Sequence, residues 1–133
     1  MKYLGIDYGL SHTGFAMGDD ESRLALPFGS LHEKKAEAVI AEIKKIIAQE
    51  SVDQLVIGHP LSMQGSAQGQ AEATETFLKQ LKVSVHIPVH QADERLSSSF
   101  ARRQKQEDPG SKYDEHALAA ASILQMFLDK LKN

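Results

Sequence analysis

The sequence predicts an α/β domain built on one five-stranded mixed sheet flanked by helices. Three observations lead there. Three short apolar runs follow one another at the start of the chain, after which runs with helical and strand spacing alternate. An amphipathic pattern over 33–50 needs a sheet to cover. Finally, 133 residues with 41% hydrophobic content can bury one core of ordinary size and have no room for two, so 1–133 reads as a single domain.

The elements follow in order. Residues 2–7 (KYLGID) and 13–18 (TGFAMG) read as strands joined by a tight turn through Gly9. Residues 23–30 (RLALPFGS) read as a third, completing a candidate meander. Pro27 marks it as a sheet edge or an irregularity, because proline cannot donate to a ladder. Over 33–50, Ala36, Val39, Ile40, Ile43, Ile46 and Ile47 recur at three- and four-residue spacing and predict a helix with one buried face. VDQLVIG (52–58) is a strand ending on Gly58, and the Gly-, Ser- and Gln-rich 59–70 is a loop. A helix over about 70–81 precedes KVSVHIPV (82–89), where Val83, Val85, Ile87 and Val89 alternate with polar positions and predict the fifth strand. His86 and His90 then share a strand face, too far apart for one metal, and read as structural. A polar helix to about 106 ends at EDPGSK, and a last helix runs over 114–131.

Composition limits the function classes. There is no cysteine, so neither a disulfide framework nor a thiolate metal site is available, and the cytoplasm is the expected compartment. No run approaches the roughly 18 apolar residues of a membrane span, and no membrane partner is expected. A formal charge of -3 gives no global attraction to nucleic acid, so such binding needs a local basic patch.

GIDYG (5–9) sets Asp7 behind an apolar run. By alternation Tyr3, Gly5 and Asp7 share one strand face and Leu4, Ile6 and Tyr8 the other. Gly5 and Gly9 then clear volume around the carboxylate. Asp7 is either a turn residue accepting backbone amides or part of a site. ADERLS (92–97) adds Asp93 and Glu94, adjacent and so differently directed, either of which could instead cap a helix or pair with Arg95. In YDEHALAAASILQ (113–125), Asp114, Glu115 and His116 open a helix of Ala, Leu and Ile. Acids suit a first helical turn in any protein, but the Ala-rich surface implies close packing on the sheet and holds the helix start at its edge. Carboxylates converging on one sheet edge are the hard oxygen donors of Mg²⁺ or Mn²⁺, and two such ions would suit phosphodiester hydrolysis by water.

"LGIDYG....G.A.GD", "VIGHPLSMQG", "DERLS" and "AAASILQMFLD", in that order over nearly the whole chain, resemble the YqgF/RuvX family of the ribonuclease H-like superfamily. Its members are described as Holliday junction resolvases and as pre-16S ribosomal RNA nucleases. The resemblance implies a ribonuclease H-like fold, a metal-dependent nuclease activity, and acidic site residues at Asp7, Asp93 and Glu94. At the last helix the family's aspartate falls on His116, with Asp114 two residues earlier. Asp114 is taken as the third acid, so that Asp7, Glu94 and Asp114 hold the metal, with His116 as an accessory group. "LSHT" (10–13) replaces a Thr and basic pair, so Ser11 and His12 are expected to make the phosphate contacts of that turn.

Arg95, Arg102 and Arg103, with Lys105 and Lys112, form the densest basic grouping in the C-terminal half, either a backbone-tracking patch or a solvated helix face. Tyr3, Tyr8 and Phe15 read as core, and with no Trp, base stacking has little support. Actin-like kinases open with a similar strand but need a second domain, and no GxxxxGK[ST] loop is present. The expected partner is structured RNA or branched DNA, bound by a monomer or homodimer. Junction cleavage would call for a broad basic surface, which a formal charge of -3 does not suggest, so ribosomal RNA maturation is favoured over it. A binding module with weak catalysis is the reading from another class, motivated by His116 and LSHT.

Overall fold

The computed structural model describes residues 1–59, 68–93 and 115–131. β1 (Lys2–Asp7) is the central strand, with β2 (His12–Asp19) antiparallel on one side and β4 (Gln54–His59) parallel on the other. β3 (Ala25–His32) extends the antiparallel half and β5 (Val89–Asp93) the parallel half. The order β3-β2-β1-β4-β5 is the expected five-stranded mixed sheet.

Strand alternation sorts the apolar residues onto two faces. Leu4, Ile6, Tyr8, Phe15, Leu55 and Ile57 meet α1 (Ala36–Glu50) and α2 (Gln68–Ser84). α1 contributes Val39, Ile40, Ile43 and Ile46, as its spacing predicts, and α2 contributes Phe77, Leu78 and Leu81. Tyr8 stacks on Phe77 with centroids 3.9 Å apart and planes 8° from parallel, which ties the end of β1 to α2. Tyr3, Ala16 and Val56 face the other way, onto α3 (Glu115–Asp129). Tyr3, Tyr8 and Phe15 are thus core residues.

α3 lies very close to the sheet. On β2 the residues facing it are Gly14, Ala16 and Gly18, a small residue at every second position. A methyl group at Gly18 would stand 2.9 Å from Leu128 Cδ1, and one at Gly5 2.8 Å from Leu124 Cβ and 3.0 Å from the Ala120 carbonyl oxygen. The expectation that Gly5 makes room for a carboxylate is corrected here: that room is filled by the helix. Gln125 fastens α3 to the edge strand, its Nε2 donating to the Arg23 carbonyl at 2.7 Å and its Oε1 accepting the Ala25 amide at 2.9 Å.

The fifth strand departs from expectation. α2 runs on to Ser84, whose hydroxyl donates to the Gln80 carbonyl at 2.7 Å, and the Val85 amide continues the pattern to Leu81 at 3.1 Å. Val83 is 85% exposed, whereas Val85 packs on the same core as Leu78 and Leu81. The helical period therefore overrides the alternation over 82–89, and β5 starts only at Val89. His86 falls between the two elements, so it does not share a strand face with His90. His90 is structural, its ring bonded to the Gln54 amide group and packed on Phe127 with centroids 5.0 Å apart.

Pro27 sits on an edge strand and beside an irregularity. Pro27 pairs with Ala16 and Gly29 with Phe15, leaving Phe28 as the extra residue of a bulge. In β2, Thr13 is fully buried, and among the described residues its Oγ1 has no hydrogen-bond partner. Thr13→Val keeps the shape and removes an unsatisfied hydroxyl, so it should stabilise the fold by about 1 kcal/mol. Urea unfolding with an unchanged slope and a higher midpoint would show this, and a lower midpoint would mean that the hydroxyl has a partner.

Candidate functional site

β1, β4 and β5 run parallel, so their C-terminal ends open on one edge of the sheet, where ligands of open α/β sheets bind. Asp7 closes β1 and Asp93 closes β5, paired there with His59 at the end of β4. Asp7 is half-buried and belongs to the sheet face that α3 covers. Tyr8, next in sequence, faces the opposite core, and burial raises its phenol above the ordinary value, so it serves packing.

The start of α3 is brought to this edge by contact with β2. Gly14 pairs with Asp7, and the His116 carbonyl lies against the space a Gly14 side chain would occupy. The first helical turn thus stands over the strand beside Asp7, with the positive end of its dipole there. This is the placement that the Ala-rich helix implied.

Three histidine rings share the neighbourhood. His12 and His32 are cross-strand partners, their rings stacked with centroids 4.3 Å apart and 12° between planes. His116 stacks on His12 at 4.8 Å and 1°. Ser11 Oγ lies 3.3 Å from His12 Nδ1. Ser11, His12 and His116 are therefore gathered at the same end of the sheet as Asp7. His32 was not expected among them. It carries no local signal, since its position opposite His12 depends on the bulge in β3.

Asp93 is placed by its backbone at the same edge, and Ala92 before it packs on the α3 side. Glu94, Arg95, Arg102, Arg103 and Asp114 lie outside the described residues, as do 60–67 of the Gly-rich loop. Glu94 directly follows the end of β5, and Asp114 directly precedes α3. Among the described residues no three His, Asp or Glu side chains form a group that could hold a metal. The donor chemistry still fits Mg²⁺ or Mn²⁺ in kind: a half-buried carboxylate on the central strand, with two further carboxylates adjoining the elements that converge on it.

Comparison with known proteins bears on the fold and the family. The family model described as RuvX, Holliday junction resolvase, matches residues 1–130. A protein of Gluconacetobacter diazotrophicus named "Putative pre-16S rRNA nuclease" is 39% identical over 133 residues, covering 96% of this chain and 86% of its own. Among solved structures, Thermus thermophilus RuvC in complex with a Holliday junction superposes with a TM-score of 0.66 at 15% identity, over 96% of this chain and 93% of its own. The Fowlpox virus resolvase, in complex with Holliday junction DNA, gives 0.59 at 12% identity over 100% of both chains. These likenesses identify the fold as ribonuclease H-like. With the sequence match running from the first strand through the last helix, the chain belongs to the RuvX family.

Proposed function

We propose that this protein is a divalent-metal-dependent nuclease that hydrolyses phosphodiester bonds in structured nucleic acid, with 5′-end processing of pre-16S ribosomal RNA in the cytoplasm as its task. The observation that carries the reading is the convergence of Asp7, the end of β5 and the start of α3 at one sheet edge, in a member of the RuvX family. The relative's name points to ribosomal RNA.

Asp7, Glu94 and Asp114 are assigned as the holders of Mg²⁺ or Mn²⁺. Glu94, which directly follows β5, is assigned in preference to Asp93. When bound, such ions polarise a phosphoryl oxygen and make water a nucleophile near neutral pH. Asp114 is preferred to His116 because a carboxylate is the harder oxygen donor that Mg²⁺ or Mn²⁺ favours. His116 acts as an accessory group that orients water. Ser11, from the β1–β2 turn, and His12, at the start of β2, hold the phosphate, and Arg95, Arg102 and Arg103 follow the backbone. No protein nucleophile is required.

The test is cleavage of a structured RNA precursor end and of a four-way DNA junction, with Mg²⁺, with Mn²⁺ and with chelator. Wild type should cut the RNA only with metal, and Glu94→Gln and Asp114→Asn should lose at least about 100-fold, or roughly 2.7 kcal/mol of transition-state stabilisation. His116→Ala should retain measurable turnover. Preference for the junction would shift the assignment to resolvase activity, the reading that the RuvC likeness favours. Binding without cutting under every condition would replace the enzyme by a binding module.

A further inference from the structure

His32 belongs to none of the elements proposed to carry the carboxylates, yet its ring completes a column of three nearly parallel imidazoles, His32, His12 and His116. Each ring is set by a different element. The bulge at Phe28 makes His32, rather than Leu31, the partner of His12. The close approach of α3 at Gly14 sets His116, and Ser11 sits against the His12 ring. Ser11 also ties the turn to the end of β3, its carbonyl accepting the Glu33 amide at 3.0 Å.

The inner end of the column is anchored on α3, while the outer end, His32, is exposed on an edge strand. A ring with one face covered by a parallel neighbour offers the other to a flat partner. The residues beside it suit an anion. Lys34 and Lys35 are exposed, and the intervening Glu33 turns its carboxylate onto their backbone amides at 3.0 and 3.1 Å. From strand spacings, His32 lies roughly 12 Å from Asp7, on the same sheet face.

We propose that an unpaired nucleobase of the substrate stacks on the outer face of His32, extending the column, while its adjoining phosphates lie toward Lys34 and Lys35. The inference rests on the nuclease reading and names the substrate class: nucleic acid with an unpaired nucleotide close to the bond that is cut, rather than continuous duplex. Histidine supplies a flat stacking surface in a chain without tryptophan.

Binding is measured in Ca²⁺ buffer to an RNA hairpin with a single-stranded extension carrying 2-aminopurine, and to the same hairpin with abasic positions there. A DNA version tells the two sugars apart. Wild type should bind the base-bearing extension roughly tenfold or more tighter than the abasic one and quench its fluorescence. His32→Ala should lose that preference and the quench, and His32→Tyr should restore both, which a purely structural role would not. Equal weakening of both RNAs by His32→Ala, or no base preference in wild type, overturns the stacking site and leaves the nuclease reading standing. If wild type binds no RNA and no junction, the nuclease reading falls and this inference with it.

Discussion

Gly14→Ala is expected to destabilise the protein by about 3 kcal/mol or more and to disable the site in whatever fraction still folds. The added methyl would meet the carbonyl and backbone of His116, and no rotamer change can move backbone aside. α3 would have to lift, withdrawing Ala120 and Leu124 from Gly5 and moving the helix start away from Asp7. Chemical denaturation measures the first effect and metal-dependent cleavage at low temperature the second. Gly29→Ala is the control: it lies on the edge strand, where a methyl group meets nothing within 4 Å, so its stability should change by less than about 0.5 kcal/mol. Near-wild-type stability of Gly14→Ala would mean that α3 is not seated on β2 as described.

Asp7→Asn separates stability from chemistry. The amide is nearly isosteric but is a poor ligand for a hard cation, so cleavage should fall at least about 100-fold. A second readout guards against misreading a folding defect. Mg²⁺ should raise the melting temperature of wild type and raise that of Asp7→Asn much less, because a ligand stabilises only the fold that binds it. Undiminished turnover in the variant would make Asp7 a turn residue.

Most of the sheet could be read from sequence because its signals are local. β1 and β2 declare themselves as short apolar runs, buried on both faces, and α1 through a period of 3.6 that selects Val39, Ile40, Ile43 and Ile46 for the core. The fifth strand could not be read, because 82–89 satisfies both periods. Val85 continues the helical face of Leu78 and Leu81, while the true strand, VHQAD, has few apolar residues and gains its place by pairing with β4. The position of Asp7 at the site edge was legible as the end of an apolar strand. The histidine column was not, since residues 12, 32 and 116 meet only through a hairpin register shifted by one residue and a helix docked from far along the chain.

That docking gives the molecule an order of assembly. α3 is the last described element to leave the ribosome, yet it packs across all five strands, and Gln125 reaches partners 100 and 102 residues earlier. A nascent chain ending at β5 therefore has its parallel strands and one covered face, while Tyr3, Ala16 and Val56 wait uncovered. Asp7 gains the start of α3 only when that face closes. Emergence of α3, closure of the second sheet face and arrival of the helix start beside Asp7 thus become one event, and a copy cut short before α3 keeps that face bare.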